Sequence, residues 1–186
     1  MRAKLGLLLL ATMMAWPATA QDGEGLPLYI GIEYADLTFD VSNDQLEADF
    51  GNDRFDSQLY ALRLGTRLFN AIGAELQLGA GDSASGTDEV EVSQYAGFYF
   101  VPTGTIANAV EVSVRVGYSF LTLEGASGAE EDVDGLSYGL GMAVPFRLWG
   151  EGMPNLRLNA GGTVYSSERE TRTFSWHAGL RYDFFL

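Results

Sequence analysis

The sequence predicts an all-β fold, an eight-stranded antiparallel up-and-down transmembrane β-barrel, on three observations. Apolar residues alternate with polar or small ones through eight segments, the period of strands with one apolar face. Long polar links alternate with tight ones between the segments, as in a meander whose two ends face different surroundings. The last segment carries the alternation to the chain end: Trp176, Ala178, Leu180, Tyr182, Phe184 and Leu186 share one face, and Ser175, His177, Gly179, Arg181 and Asp183 share the other.

The N-terminal stretch is set apart from this pattern. Arg2 and Lys4 precede the apolar run from Leu5 to Trp16, and Ala18-Thr19-Ala20 supplies a cleavage site of the A-x-A kind. This layout predicts a secretory signal peptide over residues 1–20, with one domain, the barrel, over 21–186. The run is too short for a spanning helix, and no later stretch reaches the roughly 18 to 20 apolar residues that one needs. The chain has no cysteine, which excludes disulfides and thiolate metal sites. Its net charge is −14, and loss of the signal would remove Arg2 and the only lysine, Lys4. So acidic a chain lacks the basic footprint that nucleic acid requires.

The first strand sets Leu28, Ile30, Ile32 and Tyr34 against Tyr29, Gly31 and Glu33. Its apolar phase then slips to Leu37, Phe39 and Val41, through either a bulge near Ala35-Asp36 or a strand risen above the lipid. The second opposes Tyr60, Leu62, Leu64 and Leu68 to Ala61, Arg63, Gly65 and Arg67. The third sets Ile72, Ala74, Leu76, Leu78 and Ala80 against Gly73, Glu75, Gln77 and Gly79. In the fourth, Val92, Ala96, Phe98 and Phe100 oppose Ser93, Tyr95, Gly97 and Tyr99. The fifth is the most regular, with Val110, Val112, Val114, Val116, Tyr118 and Phe120 against Glu111, Ser113, Arg115, Gly117 and Ser119. The sixth places Leu136, Tyr138, Leu140, Met142, Val144 and Phe146 against Ser137, Gly139, Gly141 and Ala143. The seventh, Leu156 to Tyr165, is interrupted by Gly161-Gly162, and the terminal segment is the eighth. Eight is the smallest even count that closes a bacterial outer-membrane barrel.

Long links are expected over Ser42 to Ser57, Gly81 to Glu91 and Thr122 to Gly135, with a shorter one from Ser166 to Arg172. Tight links are expected at Phe69-Asn70-Ala71, Val101 to Asn108 and Trp149 to Asn155. Short turns face the periplasm in such barrels, which predicts periplasmic termini. Tyr34, Tyr60, Tyr118, Phe120, Tyr138, Phe174 and Trp176 then form an outer aromatic girdle, and Phe100, Phe146 and Phe184, with Trp149 in a turn, an inner one. A soluble lipocalin-like barrel, apolar inside, is the competing architecture. The polar face counts against it, because it is rich in glycine and has no lysine, as suits a crowded interior rather than a solvated exterior.

The Gly-Tyr-Ser-Phe stretch at 117–120, Tyr-Gly-Leu-Gly at 138–141 and the Gly-Leu-Arg-Tyr-Asp-Phe ending at 179–184 resemble the outer-membrane β-barrel family of OmpA-like and OmpX-like proteins. The resemblance extends over the whole mature chain. It implies a bacterial outer-membrane location, contact with outer-membrane lipid and lipopolysaccharide, and insertion by the barrel assembly machinery through a C-terminal signature of Tyr182, Phe184 and Leu186. The barrel ends at Leu186 with no peptidoglycan-binding domain after it, so the cell-wall tethering of larger members is not expected. A monomer is expected, with no cofactor and no metal.

The inward face predicts an interior charge network of Glu33, Arg63, Arg67, Glu75, Glu111, Arg115, Arg157, Arg181 and Asp183. An eight-stranded barrel leaves an interior only just wide enough for side chains, so these charges should pair and plug it. The alternative is a small-solute pore of low conductance whose selectivity they set. A lipid-modifying hydrolase is the third reading. His177 is the only histidine, with Ser175 two residues before it, whereas lipid A deacylase barrels carry serine two residues after histidine, where this chain has Gly179. The links hold most of the acidity: Asp44, Glu47, Asp49, Asp53 and Asp56, then Asp82, Asp88, Glu89 and Glu91, then Glu124, Glu130, Glu131, Asp132 and Asp134. Asp132-Val133-Asp134-Gly135 is too short for a calcium loop, so a solvated, repulsive surface is expected. The reading is therefore a non-enzymatic barrel with a structural or surface-interaction role.

Overall fold

The computed structural model describes residues 25–41, 54–68, 71–83, 90–106, 110–125, 130–146, 155–167 and 171–186. They form eight strands: β1 (Pro27–Val41), β2 (Arg54–Leu68), β3 (Ile72–Ser83), β4 (Val90–Ile106), β5 (Val110–Gly125), β6 (Glu130–Pro145), β7 (Leu156–Ser167) and β8 (Thr171–Phe185). Each pairs antiparallel with its neighbours in sequence, and β8 returns to β1 to close an up-and-down barrel. Closure gives every strand a partner on both sides. Leu26 and Leu186 exchange backbone hydrogen bonds of 2.8 and 3.2 Å, so the start of β1 and the end of β8 meet at one rim, here called the terminal end.

The strands run further than their apolar alternation. The predicted link from Thr122 to Gly135 is mostly strand, since β5 continues to Gly125 and β6 starts at Glu130. Likewise β2 begins at Arg54 rather than after Ser57, and β4 continues through the expected turn to Ile106. Backbone pairing does not stop where the outward face turns polar, and polarity was the signal used to end the segments. Gly161 and Gly162 do not interrupt β7 either, because both pair with β6 and β8.

The phase slip in the first strand has no bulge behind it. Pairing with β2 is unbroken from Leu28–Thr66 to Asp40–Arg54. What changes is the polarity of each face: Leu37 and Phe39 point inward with no exposed surface, while Asp36 and Asp40 point out. Of the two explanations the sequence allowed, a strand that has risen above the lipid fits. The register shift of this barrel lies instead in β4, between Val92 and Gln94. It turns Val92 inward, where it is fully buried, although the sequence grouped it with the outward Ala96.

The expected outer aromatics Tyr34, Tyr60, Tyr118, Phe120, Tyr138, Phe174 and Trp176 all face outward and are exposed. Six of them form three ring pairs: Tyr34–Tyr60 at 5.3 Å, Tyr118–Phe120 at 5.1 Å and Phe174–Trp176 at 4.9 Å. At the terminal end Phe100 is exposed and Phe146 and Phe184 are half-buried, while Trp149 lies outside the described residues. So do residues 1–20 and, in the links, Asp44, Glu47, Asp49, Asp53, Asp88 and Glu89.

Candidate functional site: the barrel interior

The interior is stacked in layers, because every strand contributes alternate side chains to it. At the terminal end, Glu111 of β5 accepts hydrogen bonds from Arg181 Nη1 at 2.8 Å and Nη2 at 3.0 Å, a bidentate fork, and another from Arg67. Asp183 accepts from Arg157 Nε at 2.5 Å and pairs with Arg181 at 2.9 Å. This layer is partly open: the side chains of Arg67, Arg157 and Asp183 keep 20%, 25% and 24% of their surface.

The next layer is buried, its charged side chains at most 5% exposed. Glu33 of β1 accepts from Arg63 at 2.7 Å, from Asn159 at 3.1 Å and from Arg115 at 3.3 Å. Glu75 of β3 accepts from Arg63 at 2.5 Å, from Gln77 at 2.6 Å and from the Tyr29 hydroxyl at 2.7 Å. Arg63 therefore bridges two carboxylates, one guanidinium nitrogen to each. Arg115 lies 3.7 Å from Glu75 as well, which makes a second bridge. The Arg181 guanidinium sits 5.0 Å from the centre of the Tyr29 ring and joins the two charged layers through the aromatic face. Burial without such partners would leave several kcal/mol of desolvation uncompensated per ion.

A hydroxyl layer follows. Tyr95 donates to Gln77 at 2.6 Å and lies 2.8 Å from the Tyr99 hydroxyl, with Tyr165 edge-on to its ring at 6.1 Å. Above it the interior becomes apolar: Leu37, Phe39, Phe55, Leu59, Val90, Val92, Leu121, Leu123 and Val133 form one buried cluster, in which the Phe39 and Phe55 rings stack at 4.7 Å. Around this cluster the outward positions are polar, and Thr38 donates to Asp56 at 2.7 Å and Thr122 to Asp132 at 2.9 Å. The barrel thus inverts along its axis, polar inside and apolar outside at the terminal end, apolar inside and polar outside at the other.

All nine charged residues singled out from the sequence point inward, in two groups: Arg67, Glu111, Arg157, Arg181 and Asp183 in the first layer, Glu33, Arg63, Glu75 and Arg115 in the second. Tyr29, Gln77, Tyr95 and Asn159 are further members that carry no charge to mark them in the sequence, although their odd numbering puts them on the same face. Ser175 and His177 are both buried and inward. Ser175 donates to the Thr163 carbonyl at 3.4 Å, and the Nε2 atom of His177 has no hydrogen-bond partner and lies 4.0 Å from Glu33. The Ser175 hydroxyl is thus directed at a backbone carbonyl rather than at the imidazole Nε2. Among the described residues, no group of three or more His, Asp or Glu could hold a metal ion.

Residues 6–184 match the family described as outer membrane protein beta-barrel domain. Among solved structures, the chain is similar to Neisserial surface protein A, at 14% identity and a TM-score of 0.64 over 84% of this chain and 97% of that one. It is similar to Ail, the attachment invasion locus protein of Yersinia pestis, solved with the heparin analogue sucrose octasulfate, at 15% identity and a TM-score of 0.58 over 86% and 99%. A third is the N-terminal β-barrel domain of Pseudomonas aeruginosa OprF, at 12% identity and a TM-score of 0.55 over 84% and 97%. At such identities the likeness concerns the fold. No curated protein sequence matches the chain.

Proposed function

Because the chain belongs to the outer membrane protein beta-barrel domain family, whose members are barrels of the bacterial outer membrane, we propose that it is a non-enzymatic envelope protein with a plugged interior and an acidic outer rim. The observation that carries this reading is the stack itself: the buried ion-pair layer, with Glu75 only 1% exposed, lies beneath an apolar layer in which Leu37, Phe39 and Val92 have no exposure at all. Two layers of opposite chemistry then block solutes in series. On this reading residues 1–20 are removed after Ala20, the termini face the periplasm, and Tyr182, Phe184 and Leu186 are the signature read by the assembly machinery. The barrel works as a monomer and its far rim meets lipopolysaccharide or a surface partner.

The rim's charge limits that partner. Asp36, Asp40, Asp56, Glu124, Glu130, Asp132 and Asp134 are all exposed outside the apolar layer. Ail is described with a sulfated polyanion, and like-charge repulsion makes such a ligand unsuitable here. Neutral or basic partners fit instead, and lipopolysaccharide fits through divalent cations that bridge its phosphates to these carboxylates.

A low-conductance pore is the second reading, favoured by the 20–25% exposure of Arg67, Arg157 and Asp183 at the terminal mouth. Single-channel recording of residues 21–186 refolded in a planar bilayer separates the two. The plugged barrel gives no discrete steps; stable steps that change size in Arg115→Ala would make the pore correct.

A further inference from the structure

The wall of the barrel has one seam among the described strands. Pairing between β3 and β4 ends at Gly79–Tyr95. Yet β3 goes on pairing with β2 as far as Ser83, and β4 goes on pairing with β5 from Val90. The register shift in β4 lies directly above that last pair, so the two strands run on side by side without a ladder. Inside, the two strands stay close across the gap, since a Cβ placed on Gly81 would lie 3.3 Å from that of Val92. Outside, it opens as a groove of about 320 Å³ lined by Leu78, Gly79, Gln94, Tyr95, Ala96, Phe120 and Thr122.

The groove is amphipathic along its length. Leu78 and Phe120, 46% and 55% exposed, belong to the lipid-facing surface and, with Ala96, form its lower part. Gln94 and Thr122, partners across β4 and β5, form its upper part. Just beyond them come the facing pair Glu91 and Glu124, and Asp132, which accepts from Thr122. Within β3, β4, β5 and β6, which carry the groove and these carboxylates, the only basic residue is Arg115, and it points inward.

We propose that this seam is a binding site for an amphiphile with a single apolar chain and an ammonium head. The chain lies along Leu78, Ala96 and Phe120, continuous with the lipid that already covers this surface, and burial of its methylenes supplies the affinity. The head sits at Gln94 and Thr122, within reach of Glu91, Glu124 and Asp132, and charge complementarity selects it over anionic or neutral heads. An outer-leaflet phosphate lipid is disfavoured by the same carboxylates. The site is independent of whether the interior conducts.

The test is photolabelling of the protein in phosphatidylcholine nanodiscs with a dodecyl-trimethylammonium probe carrying a diazirine on its chain, and adduct mapping by mass spectrometry. Dodecyl maltoside and dodecyl sulfate probes of the same chain serve as comparisons. Adducts should concentrate on Leu78, Ala96 and Phe120 over Leu158 and Leu180 of the opposite wall. The ammonium head should outcompete the neutral one by about fivefold, the scale of a few partly screened ion pairs. Ala96→Trp should fill the groove and abolish the concentration of label, and Ala96→Phe serves if the larger ring impairs folding. The double variant Glu124→Gln, Asp132→Asn should erase the preference for ammonium while leaving the site of labelling unchanged. Adducts spread evenly around the barrel, or equal labelling by all three heads, would overturn the proposal.

Discussion

Arg115 of β5 reaches Glu33 of β1 across the full width of the barrel, with Nη2 3.3 Å from Oε2, although 82 positions separate them in the chain. Neighbouring strands are already joined by backbone ladders, whereas β1 and β5 touch only through such side chains. The pair is therefore a strut that resists ovalisation of the ring, and it draws Arg63, Asn159 and Glu75 into one unit.

Removing one end of the strut should cost more than removing both. Arg115→Ala is expected to destabilise the folded barrel by about 3 kcal/mol, because Glu33 and Glu75 each lose a counter-charge in a buried layer. Glu33→Gln in the same background should recover part of that loss, giving a non-additive cycle in urea unfolding of the lipid-reconstituted protein. Strict additivity would mean that the two side chains do not act together.

The apolar layer predicts a different response. Leu59→Ala, at a fully buried position of that layer, should lower stability by about 2–5 kcal/mol through the cavity it leaves. Neither it nor Arg115→Ala should admit solute in a liposome-swelling assay, because each leaves the other barrier intact. Only the combined variant is expected to leak, and swelling in Arg115→Ala alone would show that the apolar layer is no barrier.

Tyr29 and Gly65 are facing partners on β1 and β2, and a Cβ on Gly65 would lie 2.2 Å from the Tyr29 ring. Gly65→Ala should therefore displace the ring, break its hydrogen bond to Glu75 and destabilise the barrel by roughly 1–3 kcal/mol. Tyr29→Ala should make the same substitution nearly silent. Equal costs in both backgrounds, by urea titration, would exclude the ring as the cause.

The chain terminus is expected to matter for assembly more than for the finished fold. Phe184→Ala combined with Leu186→Ala changes half-buried and exposed side chains at the rim and keeps the backbone bonds between Leu26 and Leu186, so the folded stability should fall by under about 1 kcal/mol. Insertion catalysed by purified assembly machinery should slow severalfold, while spontaneous insertion into thin-lipid vesicles should hardly change. An equal slowing of both would remove the signature role.

Alternation with period two is a local property, and it was enough to reveal eight strands, the inward parity of Glu33, Arg63, Glu75, Glu111 and Arg115, and the outward girdle of Tyr34, Tyr60 and Phe120. A strand's side chains must alternate whatever the rest of the chain does, so these features are written in the order of residues. The placement of Leu37 and Phe39 was also present in the sequence, as a slip of phase, but it took the continuous β1–β2 register to show that polarity, not geometry, had changed. Closure of the ring decided what remained. Whether Arg63 would bridge Glu33 and Glu75, whether Arg115 would span the lumen, and whether the wall would part above Gly79 and Tyr95 depend on which strand heights coincide after eight registers are summed around a circle. No window of sequence contains that sum, because each term is set by pairing between segments and the last by the return of β8 to β1.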